Sequence, residues 1–252
     1  MYEMGVPVSG KNLFQSNISG LPTWFIIRAS DAGYQAPGDY THIQIMMNKD
    51  TWEKDMNNLE PGTVIIYNQD AKLPVDRDDC IALPMPMTKM ARSISPKMAK
   101  IIANMYYVGA LAHILKIDDK AIKVAVSLQF AGKEKAIEWN LQAIAEGKAY
   151  AEENWDYESE YLVEARDKDP NTFLIEGNEA TALGAIYGGI NMLSWYPITP
   201  SSGVAESVIN WIPELREAED GGTTCAVVQA EDELAAAGMV LGAGWAGGRG
   251  MT

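Results

Sequence analysis

Two short stretches hold residues whose types and spacing suit chemistry. In Ser194-Trp195-Tyr196-Pro197-Ile198-Thr199-Pro200-Ser201-Ser202, one threonine stands between two prolines. Each proline locks its own φ, and Pro200 also drives Thr199 away from the helical region toward an extended conformation, so the hydroxyl is aimed. A fixed hydroxyl suits a hydrogen bond to a polar ligand; it equally suits a rigid surface turn. The second stretch, Glu231-Asp232-Glu233, opens an alanine- and glycine-rich run. At about 100° per residue, Glu233 shares a helical face with Ala236, Ala237, Val240 and Gly244, while Glu231 and Asp232 point elsewhere. A carboxylate on an apolar stripe predicts a raised pKa and a neutral or cationic partner. The alternative is an exposed first-turn acid favoured by the helix dipole.

The elements that must position these residues follow an α/β pattern. Strand-like runs occur at 22–28, 40–47, 62–67 and 80–83, with a helix between Asp50 and Leu59 closed by Pro61-Gly62. Residues 96–116 read as a buried helix with a serine N-cap and Pro96 in its first turn, and helices over 119–129 and 132–153 follow. A charged segment closed by Pro170 reads as a linker over 155–172. Beyond it, 173–178 leads into a helix whose Ala180, Gly184 and Gly188 form a small-residue stripe open to another backbone. A short strand ends at Tyr196-Pro197, a helix runs from about Gly203 to Ala218, a strand covers 223–230, and a helix follows Glu231. The threonine turn thus lies between the C-terminal end of a strand and a helix N-terminus, where open α/β sheets bind ligands.

The totals narrow the function classes. The chain has 252 residues, 47% hydrophobic, with 34 acidic against 20 basic residues and a formal charge of −14. That balance argues against nucleic acid or an anionic membrane as main partner. Cys80 and Cys225 stand far apart without C-x-x-C spacing, which excludes a disulfide framework, a zinc site or an iron–sulfur cluster built by this chain alone. No long apolar run or signal-peptide pattern appears, so the cytoplasm is the default expectation. His42 alternates within a strand pattern and His113 sits in an apolar helix, so both read as structural. The thirteen methionines read as packing. Gly242-Ala-Gly-Trp-Ala-Gly247 falls inside a helix and is no nicotinamide fingerprint.

Taken together, E-G-N-E-A-T-A-L-G-A, then Y-P-I-T-P-S-S with Glu206 beyond it, then Q-A-E-D-E-L-A-A-A-G-M-V-L-G-A-G-W-A-G-G-R-G-M-T, resemble the α subunit of the 2-oxoacid:ferredoxin oxidoreductases in order and spacing. The upstream G-V-P-V-S-G-K-N-L-F-Q-S-N-I-S-G-L-P-T-W-F-I-I-R resembles the γ domain fused ahead of α in the 2-oxoglutarate branch. The resemblance implies an α/β chain: a γ-type domain of three-layer α/β type over 1–154, and the start of a thiamine diphosphate-binding, pyrimidine-type α/β domain over 173–252. It also implies that both ends are incomplete, with a glycine-rich turn before Met1 and a substrate arginine after Thr252. A chain ending at Thr252 is expected to be inactive alone.

By the same resemblance, Thr199 is catalytic and binds the 2-oxoacid with Tyr196 and Ser201 of the same turn. Glu233 matches the glutamate that hydrogen-bonds N1′ of the thiamine pyrimidine and promotes its imino tautomer, with Glu231 as the alternative register. Lys11 and Asn17, in loops, are candidates for the coenzyme A region. The implied reaction is oxidative decarboxylation of a 2-oxoacid, most simply 2-oxoglutarate, with coenzyme A, and electrons passing to ferredoxin. Pyruvate or branched-chain 2-oxoacids, or a non-catalytic structural role, are the alternatives. No metal ligand is expected from this chain: a β subunit would anchor the diphosphate and its magnesium and carry the [4Fe-4S] cluster.

Overall fold

The computed structural model describes all residues except Gln15, Ser16, Asn17 and Ser19, together with the side chain of Lys100. The chain divides into two compact units, Met1–Phe14 with Pro22–Pro170, and a second containing Asn171–Thr252.

The first unit contains β1 (Val8–Leu13), β2 (Trp24–Ala29), β3 (Ile43–Met46), α1 (Trp52–Asn57), β4 (Val64–Asn68), β5 (Ile81–Met85), α2 (Met87–Ile94), α3 (Ala99–Leu115), α4 (Asp119–Gln129) and α5 (Glu134–Asn154). β3, β4 and β5 form a parallel sheet in that order. Its central strand is covered on both faces, as its unbroken apolar start requires. Val64 and Ile66 pack with Ile102, Tyr106 and Tyr107 of α3, while Ile65 meets Trp52, Met56 and Leu59. The result is layered α/β packing, the expected fold class.

Several boundaries differ from the sequence reading. The segment read as a loop around Lys11 is strand β1, paired antiparallel with β2 and with Lys11 opposite Ile26. Its Ser-Gly-Lys-Asn centre, without strand-forming side chains, hid it. The helix expected from 96 begins at Ala99, because Ser95 closes α2 instead of capping α3. The segment read as a linker packs along the first unit as far as Pro170. Trp155 is buried and donates from its indole nitrogen to the Pro84 carbonyl (2.8 Å), and the Val163 and Arg166 amides donate to the carbonyls of Leu115 and Met4. Aromatic and aliphatic residues between the charges hold this strap in place, so charge density alone misreads it.

The second unit contains α6 (Gly177–Tyr187), β6 (Met192–Trp195), α7 (Ser202–Leu215), β7 (Ala226–Gln229), α8 (Glu233–Trp245) and β8 (Gly250–Met251). Its sheet is parallel, in the order β7-β6-β8. Leu193 of β6 packs with Ala182 and Ile186 of α6 and Val208 and Ile212 of α7. Its neighbour Ser194 points oppositely and donates its hydroxyl to the Met239 sulfur of α8. The small-residue stripe of α6 lies on the exposed side: Ala182 and Ile186 make the buried face, and nothing approaches the site of a Cβ on Gly184.

The close approach that small residues permit occurs elsewhere, between α3 and α5. A Cβ on Gly109 would lie 2.1 Å from the Ile144 carbonyl oxygen, and one on Gly147 would lie 2.4 Å from that of Tyr106. Gly109→Ala is expected to lower stability by about 1–3 kcal/mol or more through overpacking. Gly184→Ala, in open space mid-helix, should raise it by up to about 1 kcal/mol. Urea unfolding of the two variants measures both.

Candidate active site

The last rungs of the β6–β7 ladder bring the two chemical stretches to one end of the second sheet. Trp195 pairs with Gln229 in parallel register, and the Ala230 amide donates to the Trp195 carbonyl at 2.7 Å. Beyond these positions β6 continues into the turn Tyr196–Ser201, and β7 continues into Glu231, Asp232 and α8. Both loops therefore leave the C-terminal edge of the same parallel sheet, where crevices form in open α/β folds.

The turn is held by its own polar groups. The hydroxyls of Ser201 and Ser202 and the Ser202 amide all donate to the Ile198 carbonyl, at 2.9, 3.1 and 3.1 Å. The Thr199–Pro200 peptide bond is cis. Thr199 is exposed, and among the described residues its hydroxyl has no hydrogen-bond partner. Tyr196 is half-buried at the root of the turn. The Ser201 donor is occupied inside the turn, which leaves that oxygen its acceptor capacity.

One contact that holds the turn escaped the sequence reading. Asn178, the second residue of α6, donates from its side-chain amide to the Pro200 carbonyl at 3.0 Å. The start of α6 is itself fixed by a capping box between Glu176 and Glu179, with the Glu176 amide donating to the Glu179 carboxylate at 3.2 Å. The E-G-N-E spacing signals that box, but nothing local shows where the asparagine points.

At α8, Asp232 is the N-cap and accepts from the Ala235 amide at 2.7 Å. Glu233 follows as the first helical residue, exposed rather than buried; within this chain it has the first-turn environment favoured by the dipole. The apolar face predicted beside it is present but largely open, with Ala236 buried, Val240 half-buried and Ala237 and Gly244 exposed. Glu231 is exposed just ahead of the cap.

The remaining candidates belong to other segments of the chain. Lys11 is exposed on β1 of the first unit, and Asn17 lies outside the described residues. His42 stacks edge-on between Tyr40 and Tyr161, and burial pulls the His113 pKa down, which keeps that ring neutral. Both cysteines are free, and burial pushes their thiols up. Among the described residues no group of three His, Cys, Asp or Glu side chains could hold a metal ion, and no helix is long and apolar enough to cross a membrane.

A parallel α/β unit with a proline-framed hydroxyl and a helix-borne carboxylate at its C-terminal edge defines a ligand-binding α/β class. Residues 1–150 match the family described as pyruvate ferredoxin/flavodoxin oxidoreductase, and residues 183–252 match its thiamine diphosphate-binding region. The chain belongs to the pyruvate ferredoxin/flavodoxin oxidoreductase family. It is similar to the α subunit of 2-oxoacid:ferredoxin oxidoreductase 2 of Aeropyrum pernix, with 32% identity over all of this chain and 47% of that protein. It is also similar to the 2-oxoglutarate synthase subunit KorA of Methanothermobacter thermautotrophicus, 45% identical over 32% of this chain and 19% of that protein. The fold superposes on 2-oxoglutarate:ferredoxin oxidoreductase from Magnetococcus marinus, solved with 2-oxoglutarate, coenzyme A and succinyl-CoA bound. The TM-score is 0.85 at 30% identity, covering 100% of this chain and 42% of that one. The chain spans less than half the length of these relatives.

Asp232→Ala is expected to cost about 1 kcal/mol by removing the cap. Faster hydrogen exchange at the Ala235 amide, with little change at α6, is the measurement that checks it.

Proposed function

We propose that this chain acts within the α subunit of a 2-oxoacid:ferredoxin oxidoreductase, most simply one using 2-oxoglutarate. The overall reaction converts the 2-oxoacid and coenzyme A to an acyl-CoA and carbon dioxide, with two electrons passing to ferredoxin through a partner subunit. The observation that carries this reading is the Thr199 turn: a hydroxyl with no partner among the described residues, framed by two prolines, at the sheet edge that also presents Glu233. The KorA relatives and the Magnetococcus marinus structure support 2-oxoglutarate as the substrate.

The donor set fits the pyrimidine side of thiamine diphosphate. Glu233 offers a carboxyl group beside an open alanine- and glycine-rich surface, as a ring nitrogen on an apolar heterocycle requires. When bound, thiamine diphosphate supplies the nucleophilic carbon and the electron sink that decarboxylation of a 2-oxoacid needs. In this reading the Glu233 carboxyl group hydrogen-bonds N1′ of the pyrimidine and holds the shared proton at that nitrogen. The Thr199 hydroxyl donates to the 2-oxoacid and orients it, Tyr196 lines the same side, and Ser201 contributes an acceptor. Lys11 offers an exposed cation on β1 for the phosphates of coenzyme A; Asn17 is assigned to the same region from its sequence context. A β subunit supplies the diphosphate and magnesium site and the [4Fe-4S] cluster, a division supported by the wide separation of Cys80 and Cys225 in the sequence.

Glu233→Gln in the complete complex should lower thiamine-dependent turnover about 100-fold or more. Turnover near wild type would shift the role to Glu231. Thr199→Ala should raise KM for the 2-oxoacid about tenfold, as one lost hydrogen bond to a charged ligand does, with thiamine content unchanged. Unchanged kinetics would return the turn to a structural role.

A further inference from the structure

We propose that Asn178 is a positioning residue: its side-chain amide, laid across the first turn of α7, sets the turn that presents Thr199. This deepens the function proposed above and rests on the Thr199 assignment made there. Among the described residues, the bonds within Ile198–Ser202 are local, and every one converges on the Ile198 carbonyl or runs into α7. Pro200 removes one backbone donor from this stretch and Pro197 another just ahead of it, so the segment cannot be tied down through amides at those positions. Among the described residues, the bond from Asn178 to the Pro200 carbonyl is the one that reaches Ile198–Ser201 from an element other than α7. It acts on the residue immediately after Thr199.

A second observation, on a different helix, points to the same contact. Gly203 is the second residue of α7, and a Cβ placed there would come within 2.7 Å of Asn178 Nδ2 and 3.6 Å of its Cβ and Cγ. The absence of a side chain at 203 is what leaves room for the amide to lie against the helix. Asn178 is in turn held from behind, because the Glu176–Glu179 capping box fixes the first turn of α6. The chain of constraint therefore runs from the capping box through Asn178 to the Pro200 carbonyl and so to Thr199. Gly203 serves as the clearance.

The test uses the complete complex and the variants Asn178→Asp, Asn178→Ala, Gly203→Ala and the double Asn178→Ala/Gly203→Ala, with Thr199→Ala alongside. Asn178→Asp keeps the shape and removes the donor. It is expected to raise KM for the 2-oxoacid about three- to tenfold, with thiamine content unchanged, and to speed amide exchange at residues 201–203 by a similar factor. Gly203→Ala should reproduce both effects by displacing the amide. The double variant should be no worse than either single, since residues sharing one contact are not additive. Unchanged exchange in Asn178→Asp, or effects of Asn178→Ala and Gly203→Ala that multiply in the double variant, would overturn the proposal. If Thr199→Ala leaves KM unchanged while Asn178→Asp speeds exchange, the clamp stands and the catalytic reading of Thr199 is what fails.

Discussion

The second unit depends on the parallel pairing of β6 with β7. Parallel strands deliver their C-terminal ends to the same edge, so whatever follows each strand must meet there. Here one strand is followed by a turn whose backbone is restricted by two prolines, and the other by a helix that starts with a carboxylate. The Ala230 amide on the Trp195 carbonyl is the last bond before the two segments part. Lengthening or slipping this ladder by one residue would turn Leu193 and Ser194 to the wrong faces, exchanging an apolar contact with α6 and α7 for a buried hydroxyl. Register and the placement of the turn and of Glu233 are therefore held by the same alternation.

The helices divide the remaining work. α6 and α7 bury Ala182, Ile186, Ala205, Val208 and Ile212 against β6, which makes them the rigid backing of the turn. α8 is apolar all round yet buries only Ala236, so its packing within the unit comes from a narrow strip. This asymmetry gives the turn a firm support on one side and leaves Glu233 on a helix whose open surface can accept an apolar ring. Rigid donor and accessible carboxyl are the two properties that binding and proton placement respectively require.

Much of this was legible from residue types alone. The α/β class followed from strand-like runs alternating with helices. Proline spacing and helical register marked the Thr199 turn and Glu233 only as candidates, whose roles rest on the family resemblance. Glu233 is exposed, where a buried apolar stripe was one of the two readings. The covering of α8 was not legible, because a helix apolar on every side has no face that its sequence singles out. Strand β1 was missed because Ser9, Gly10, Lys11 and Asn12 lack strand-forming side chains; pairing with Trp24–Ala29 supplies the order. The strap through Trp155 was misread because its charges outnumber the few apolar residues that anchor it. Asn178 was missed for a different reason: its partner lies in another element, and only the packing of α6 on α7 brings them together.

The central claim is that the Thr199 and Glu233 edge handles a 2-oxoacid in a thiamine-dependent oxidation. The most direct measurement is coenzyme A-dependent reduction of a viologen dye by the complete complex, supplied in turn with 2-oxoglutarate, pyruvate and 2-oxoisovalerate. The account predicts reduction with 2-oxoglutarate well above the other two. Reduction with pyruvate or 2-oxoisovalerate instead would contradict the substrate assignment. No reduction with any of them, in a complex shown to hold thiamine diphosphate and its iron–sulfur cluster, would contradict the catalytic account itself.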